Sequence, residues 1–278
     1  MKKLFFIILI SGLIFYSLIS VCLFIKTDYF RVIFFDVGQG DSALIITPGG
    51  KTILIDGGPD QKVLRGLGEA LPFWQRKIDL LVITHAHDDH ITGLIEVSSR
   101  YKIGQILYNN LNFKTPNLEA LIKVLRNKKI KMLPVNAGMS FNFNNNCSLN
   151  ILAANKELDL DENDYSIIAK FNCLNKKILL AGDAGVFIEN KLLVSGVNLS
   201  SDIFKISHHG STTANSENFL KAINPLAVVI SVGLNNKFKH PATIILDRLQ
   251  KMLVDIYRTD KLGTISFLAN NNEIKLIK

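Results

Sequence analysis

The stretch "LLVITHAHDDHITGL" (residues 80–94) places three histidines and two aspartates within positions 85–90, directly after an apolar, β-branched run. The apolar run predicts a buried strand, so the polar residues come at the strand's end. Neutral imidazole and carboxylate are ligands that suit zinc, manganese and iron. A solvated polar loop is the alternative interpretation, but so many ligand-type side chains seldom follow a buried strand in such a loop. The stretch therefore predicts a metal-binding loop.

Further ligand-type residues follow the same pattern along the chain. They lie at the predicted end of a strand or just before a helix, and they are Asp183 in "KKILLAGDAG" (176–185), His208 and His209 in "DIFKISHHGS" (202–211), and His240 in "FKHP" (238–241). These histidines and those of 85–90 together make up all six in the chain. Because strand ends meet at one edge of a sheet, we expect these side chains to converge.

After residue 28, short strand-like runs alternate with amphipathic helical segments. Strands that neighbour one another, with helices at intervals, favour two packed sheets with helices outside, an αββα sandwich of the α/β class. No linker-like composition divides this part, so residues 29–278 are interpreted as one domain. The Asn-rich "FNFNNN" (141–146) is predicted to be a loop.

The N-terminus differs from the rest of the chain. "LFFIILISGLIFYSLISVCLFI" (4–25) runs for 22 residues without a charge, and as a helix it would extend roughly 33 Å, enough to cross a bilayer core. We predict a single membrane anchor within residues 1–28, with a cleaved signal or a buried helix as alternatives. Lys2 and Lys3 favour an extracytoplasmic domain, although Lys26 and Arg31 weaken that orientation.

The overall composition bounds the class of protein. The chain has 278 residues, of which 48% are hydrophobic and 20% charged, as in globular proteins and unlike disordered ones. Its net charge of +8 fits a polyanionic partner such as nucleic acid, or an anionic membrane. Cys147 and Cys173 are able to pair in an oxidising compartment, and Cys173 also fits a buried strand position as a small apolar residue.

The motifs resemble those of a known family. "THAHDDH" (84–90) resembles the HxHxDH signature of the metallo-β-lactamase fold, and "AGD" and "HHG" follow in the matching order. More closely, the chain after the anchor is similar to the hydrolase domain of ComEC-type competence proteins. The motifs that carry this similarity are "FFDVGQGDSALI" (34–45), "ILIDGG" (53–58), "NDYSIIAKF" (163–171), "LLAGD" (179–183), "SHHGS" (207–211) and "HP" (240–241).

The resemblance implies two divalent metal ions, zinc or manganese. One would be held by His85 and His87 and the other by Asp89 and His90, with Asp183 between them. His209 would complete the second site, in preference to His208.

Other matching residues would support the site. Asp56 would brace the ligand loop. Asp36, together with Gln39 and Asp41 of the opening motif, would shape a loop near the site.

One departure from the family pattern concerns the first metal. Many proteins of this fold carry a metal histidine between the HxHxDH motif and the bridging aspartate, whereas this chain has no histidine between His90 and His208. The His85/His87 pair is therefore expected to lack a ligand and to bind its ion weakly, unless Asn163 or Asp164 lies near.

The catalytic roles follow from the resemblance and from the chemistry of bound metals. Asp89 or Asp183 would orient a metal-activated hydroxide. His240 would contact a phosphate oxygen or protonate the leaving group, or else only pack at a helix start. Ser211 and Thr212 would donate hydrogen bonds to phosphate, or form a polar turn.

The expected function is a membrane-anchored phosphodiesterase, a nuclease acting on DNA outside the cytoplasm during DNA uptake. A hydrolase of another ester, a thioester or a lactam is an alternative, since fold does not fix substrate. A non-catalytic partner of a DNA-uptake channel is another. With a single predicted span the chain cannot itself form a channel, so a separate membrane channel subunit would be its partner.

Overall fold

The structure is a computed structural model that describes residues 10–12, 28–109, 111, 114–144, 146–157 and 161–278. The predicted anchor, residues 4–25, lies outside the described residues apart from 10–12. Among the described residues, no helix has the length and apolar character needed to cross a bilayer.

The described chain alternates strands and helices throughout. The first half contains β1 (Phe30–Phe34), β2 (Ala43–Ile46), β3 (Thr52–Ile55), α1 (Lys62–Ala70), β4 (Lys77–Ile83), α2 (Asp88–Arg100), β5 (Lys102–Tyr108), α3 (Pro116–Asn127) and β6 (Met132–Pro134). The second half contains β7 (Ser140–Phe143), β8 (Cys147–Ala153), β9 (Ile168–Cys173), β10 (Lys176–Leu180), α4 (Val186–Ser195), β11 (Ile203–Lys205), α5 (Glu217–Ile223), β12 (Ala227–Ile230), α6 (Thr243–Lys251), β13 (Asp255–Arg258), α7 (Thr259–Leu262), β14 (Ile265–Ala269) and β15 (Ile274–Leu276). Short 3-10 turns occupy Glu162–Tyr165 and Ser207–Gly210.

Within the described residues these strands form two mixed sheets. One has the order β15-β14-β1-β2-β3-β4-β5-β6, and the other the order β13-β12-β11-β10-β9-β8-β7. Side chains such as Phe34, Ile45 and Phe171 fill the layer between the sheets. The opposite faces are covered by helices: α1–α3 on the first sheet and α4–α6 on the second. The predicted αββα sandwich is confirmed.

The direction of the strands brings distant parts of the sequence to one edge. β3, β4 and β5 are parallel, and β10 to β13 are also parallel. Hydrogen bonds such as Ile167 N to Thr84 O join the two sheets where these strands end. We call this the upper edge, and the opposite end of the sandwich the basal edge.

The prediction of a loop at 141–146 is wrong for residues 141–143. Ser140–Phe143 forms β7, which pairs antiparallel with β8. The reason is visible in the alternation of the sequence, since Phe141 and Phe143 pack against the central apolar layer while the intervening asparagine faces outward. Sequence analysis also did not identify α5, whose N-cap Ser216 accepts a hydrogen bond from Phe219 N.

The two cysteines of the domain are bonded to each other. Cys147 begins β8 and Cys173 ends the adjacent β9, and their sulfur atoms form a disulfide. Of the two interpretations that the sequence left open for Cys173, the structure has the paired one.

Asp79 links two neighbouring strands, β3 and β4, at the basal edge. Its carboxylate accepts hydrogen bonds from Thr52 N at 3.1 Å and Lys51 Nζ at 3.3 Å, and it also pairs with Lys77. Burial opposes its ionisation, but these donors outweigh burial and hold its pKa below the ordinary 3.8.

We predict that Asp79→Ala lowers the free energy of unfolding by about 1–3 kcal/mol at neutral pH, because Thr52 N loses its partner. A group with a depressed folded-state pKa contributes stability above its unfolded-state pKa, and this contribution is lost as the pH falls through the folded-state pKa. The difference between wild type and variant should therefore shrink below about pH 4 in urea unfolding experiments. A difference that is constant with pH would contradict this assignment.

Candidate metal centre

The ligand-rich loop leaves the central strand β4 and enters α2 within a few residues. His87 is the N-cap of α2, and the helix carries Asp89 and His90 in its first turn. Two backbone hydrogen bonds fix this turn: Gly57 N donates to His90 O at 2.7 Å, and Asp41 N to Asp89 O at 3.2 Å. A side chain at Gly40 would lie 2.2 Å from Asp89 O, so this close contact requires glycine.

Four of the sequence-predicted ligands converge at the upper edge. Asp89, His90, Asp183 and His209 each present one ligand atom within 4.8 Å of the others. His90 Nε2 lies 3.3 Å from Asp183 Oδ2, and His209 Nε2 lies 3.4 Å from the same oxygen. His209 Nε2 is also 3.3 Å from Asp89 Oδ2. These four residues come from α2, the end of β10 and the turn after β11.

Each histidine of this group is oriented by a hydrogen bond on its far side. His90 Nδ1 lies 2.8 Å from Asp56 Oδ2, and His209 Nδ1 lies 2.9 Å from Ser231 O. A proton on Nδ1 therefore leaves the Nε2 lone pair facing the group. Both Nε2 atoms, and Asp183 Oδ1, are buried and have no hydrogen-bond partner among the described residues. Unpartnered imidazole and carboxylate atoms at this spacing fit a divalent metal ion.

Asp56 holds the strand end and the histidine together. Its backbone is left-handed, with φ 56°, and its Oδ1 accepts a hydrogen bond from Thr84 N at 2.9 Å. Its Oδ2 accepts one from Thr84 Oγ1 at 2.6 Å, besides its contact with His90. The residue is fully buried, and burial raises the pKa of its carboxyl despite these donors.

The charges of the group are mutually compensating. Burial disfavours the charged form of His90, but the carboxylates of Asp183, Asp89 and Asp56 outweigh it and hold the pKa of His90 well above its ordinary value. Burial likewise opposes ionisation of Asp183, and yet the pKa of Asp183 lies well below its ordinary value because His209 and His90 are adjacent. The carboxylates and imidazoles of the group thus stabilise one another's charged forms.

His85 and His87 are placed beside this group rather than in it. The His85 ring lies 4.2 Å from the His90 ring and 4.6 Å from the His87 ring, centroid to centroid. His85 Nε2 is buried without a partner among the described residues, and burial together with the adjacent His90 holds the pKa of His85 well below its ordinary value. His87 Nε2, by contrast, lies 2.8 Å from Glu162 Oε2.

The residues considered as substitutes for the missing ligand are only partly engaged. Asn163 Nδ2 donates to Asp161 Oδ1 at 2.8 Å, but Asn163 Oδ1 is buried without a partner among the described residues, and Asp164 Oδ1 accepts from Gly185 N at 3.0 Å. Sequence analysis overlooked Glu162, the neighbour that contacts His87. The acidic run "LDLDEND" (158–164) gave no indication of which carboxylate would turn toward the loop.

The structure brings His209 rather than His208 into the group. His208 Nε2 stays 3.9 Å from Asp183 Oδ2, and its Nδ1 lies 3.1 Å from Thr213 Oγ1. Both histidines have left-handed backbones, with φ 48° and 54°. Such conformations are strained for residues with a side chain. Asn215 holds the turn by bonding both the N–H and the carbonyl of Ser207.

A second group of ligand-type residues lies beneath the first. Asp41, Asp56 and His90 have one ligand atom each within 4.8 Å of one another. Here Asp41 Oδ2 pairs with the buried Lys205 and both oxygens of Asp56 accept from Thr84, whereas Asp41 Oδ1 is buried without a hydrogen-bond partner among the described residues. Asp41 Oδ1 also lies 3.4 Å from His209 Nδ1. Lys205 was not singled out in the sequence, since a lysine in a predicted strand is usually exposed.

The remaining predicted residues lie around the group. Asp36 holds the tight turn of its loop by accepting a hydrogen bond from Gly38 N at 3.1 Å. The His240 ring lies 5.9 Å from the His208 ring. Ser211 is buried and its hydroxyl lies 3.0 Å from Thr213 Oγ1, while Thr212 is exposed.

The sequence of this chain is similar to those of several known proteins. The sequence profile described as "Metallo-beta-lactamase superfamily" matches residues 35–137. ComE operon protein 3 of Bacillus subtilis is 25% identical over 253 residues, which are 85% of this chain and 32% of that protein. Competence protein ComA of Neisseria gonorrhoeae is 26% identical over 242 residues, which are 86% of this chain and 32% of that protein. The chain thus spans about a third of the length of these curated relatives.

Solved structures show the same architecture. The metallo-beta-lactamase fold protein YhfI from Bacillus subtilis superimposes with a TM-score of 0.59 at 10% identity, over 87% of this chain and all of that one. The chain therefore has the metallo-β-lactamase fold and is distantly related, at about 25% identity over most of its length, to bacterial competence proteins.

Proposed function

We propose that this protein is a metal-dependent hydrolase of phosphodiesters, with single-stranded DNA as its substrate. The observation that carries the proposal is the convergence of His90 Nε2, His209 Nε2 and Asp183 Oδ1, all buried and without a hydrogen-bond partner among the described residues. Burying unpartnered polar atoms together is costly unless a ligand satisfies them. A divalent ion at Asp89, His90, Asp183 and His209 would do so.

The residues around the ion have distinct tasks in this proposal. A bound divalent metal supplies an activated water and polarises a phosphoryl oxygen. Asp89, whose side chain is partly exposed, is the carboxylate of the group best placed to orient that water toward the substrate. Asp56 and Ser231 O keep the histidines in the tautomer that leaves Nε2 free. His85 would hold a second, weaker ion, because His87 would have to leave Glu162 to join it.

A groove next to the centre favours a nucleic-acid strand over a small ester or lactam. A space of about 460 Å³ lies between the loop at 36–39 and the loop at 233–236, and the charged residues that border it are Lys62, Asp36 and Asp260. In the same second loop Phe238 is exposed and stacks on His240 at 5.8 Å with an angle of 23°. Lys237 Nζ lies 5.0 Å from the Phe238 ring centre. An exposed aromatic ring beside a cation is suited to stacking a base while the cation contacts its phosphate.

Two further features support a role outside the cytoplasm. The uncharged stretch 4–25 is long enough for a membrane anchor, and the domain contains a disulfide, which persists in oxidising compartments. The net charge of +8 suits a polyanionic substrate. The relatives named for competence add DNA uptake as the setting. A separate membrane channel is the partner we propose.

The purified full chain, supplied with zinc or manganese, should cleave an end-labelled single-stranded oligonucleotide. Asp183→Asn should lower the rate by about 100-fold or more, because the group loses a central anionic ligand. A β-lactam and a thioester serve as comparison substrates. Hydrolysis of those alone would refute the proposed substrate class, and undiminished cleavage by Asp183→Asn would refute the metal assignment.

The affinity of the site for Zn²⁺ is measurable without any enzymatic assay. Asp56→Asn cannot accept the His90 Nδ1–H in the same charged geometry, so the Zn²⁺ affinity should fall roughly 10- to 100-fold. Competition with a chromogenic chelator measures it. Asp36→Asn, which alters an acidic residue of a nearby loop, is the matched control and should bind as wild type does. Equal affinities for all three proteins would disprove a role of Asp56 in orienting His90.

Phe238 is the residue beside the groove that we expect to bind the nucleic-acid strand. Phe238→Ala should raise KM for single-stranded DNA roughly 5- to 100-fold, the equivalent of one stacked base, with kcat little changed. Phe238→Tyr preserves the ring and should behave as wild type. Measuring kcat and KM separately, also with bis(4-nitrophenyl) phosphate, isolates the effect of stacking. A loss of kcat on both substrates would indicate a structural role of Phe238 instead.

A further inference from the structure

The basal edge carries a pair of exposed aromatic side chains that the metal centre does not use. The loop between α1 and β4 ends the sandwich opposite the centre, and in it Phe73 is 80% and Trp74 66% exposed. Their rings pack edge to face, with centroids 4.8 Å apart. Exposing two large rings at a loop tip is unfavourable in water unless they contact something else. Trp in particular is enriched where apolar and aqueous phases meet.

Seven cations lie along the same edge. They lie at the start of a strand, in the β2–β3 hairpin or directly after α3, and they are Lys51, Arg76, Lys77, Lys102, Lys128, Lys129 and Lys131. Asp79 pairs with Lys51 and Lys77. Within the described part of the chain, Arg76 and Lys102 form no ion pair and are exposed. The row is therefore a basic border beside an aromatic tip.

The chain enters the domain at this edge. β1 runs in the same direction as β3 and β4, so its first residue, Phe30, lies at the basal end. Residues 26–29 alone separate it from the uncharged stretch 4–25, a reach of at most about 14 Å. At a strand spacing of about 4.8 Å, the row from β1 to β6 is about 24 Å wide. A membrane that held residues 4–25 would therefore face the whole row.

We propose that the basal edge docks on an anionic lipid surface, with Phe73 and Trp74 entering the interfacial region and the flanking cations contacting lipid phosphates. This rests on the membrane attachment proposed above. Each cation near an anionic leaflet contributes modestly, and the contributions add along the row. Because the sheets run from this edge to the metal centre, docking directs the centre away from the lipid and toward incoming substrate. A protein partner at the same edge is the competing occupant.

Trp74 is the single tryptophan of the chain, so its fluorescence reports on this edge alone. The full chain is reconstituted into vesicles of phosphatidylcholine, or of phosphatidylcholine and phosphatidylglycerol in equal parts, with brominated acyl chains as quenchers. Flotation measures attachment, and quenching of Trp74 measures docking. We expect flotation with both vesicles, and a blue shift with strong quenching in the anionic ones.

Arg76→Gln/Lys102→Gln should lower the docked population in anionic vesicles about 30-fold, from two lost cations. Lys62→Gln/Lys261→Gln removes the same charge near the upper edge and should dock as wild type does. Phe73→Ala should also weaken quenching, without touching any charge.

The outcomes separate the two proposals. Protein that floats while Trp74 remains water-exposed and unquenched overturns docking and leaves attachment intact. A Trp74 that is shielded equally in detergent and in both vesicles indicates a protein contact and also overturns docking. Protein that fails to float with anionic vesicles overturns both.

Discussion

A buried hydrogen bond between His90 Nδ1 and Asp56 Oδ2 joins the end of β3 to the first turn of α2. Both side chains are fully buried, and Asp56 adopts a left-handed backbone that Thr84 helps to hold. Through Gly57 N and Asp41 N, the neighbouring backbone also anchors the same helical turn. The direction in which the His90 Nε2 atom points is thus fixed by main chain and carboxylate together, before any ligand arrives. Such prior orientation is what a tightly held ion needs.

The strand directions divide the molecule into two chemically different ends. Every residue of the candidate centre follows a strand that runs upward, whereas the Phe73–Trp74 loop precedes one. The same parallel arrangement that gathers Asp183 and His209 therefore keeps the Phe73–Trp74 pair and its flanking cations about a strand's length away from them.

The sequence made the fold and most of the centre predictable, and the reasons are local. Ligand-type residues stood directly after apolar runs, and strand ends meet at one edge, so Asp183 and the His208–His209 pair were foreseeable neighbours of Asp89 and His90; the family resemblance was what favoured His209. Their roles as ligands stay a prediction. The alternation of apolar and polar residues in "FNFN" (141–144) is typical of a strand, but the high asparagine content was taken to indicate a loop.

Other features depend on tertiary contacts that no local pattern encodes. Glu162 meets His87 across 75 positions of sequence, and Lys205 meets Asp41 across 164. A buried lysine is indistinguishable in the sequence from an exposed one until its carboxylate partner is known. The contact of Ser231 O with His209 belongs to the backbone and leaves no trace in residue identity.

The left-handed pair His208–His209 carries a cost that bears on how this protein could be evolved for robustness. Glycine at position 208 would relieve the strained backbone without removing a member of the four-residue group, whereas position 209 has to retain both the strain and the imidazole. Selection for thermal tolerance alone would therefore tend to erase the first histidine and spare the second. If a histidine persisted at 208 under such selection, its contribution to turnover would have to exceed the cost of its strained backbone.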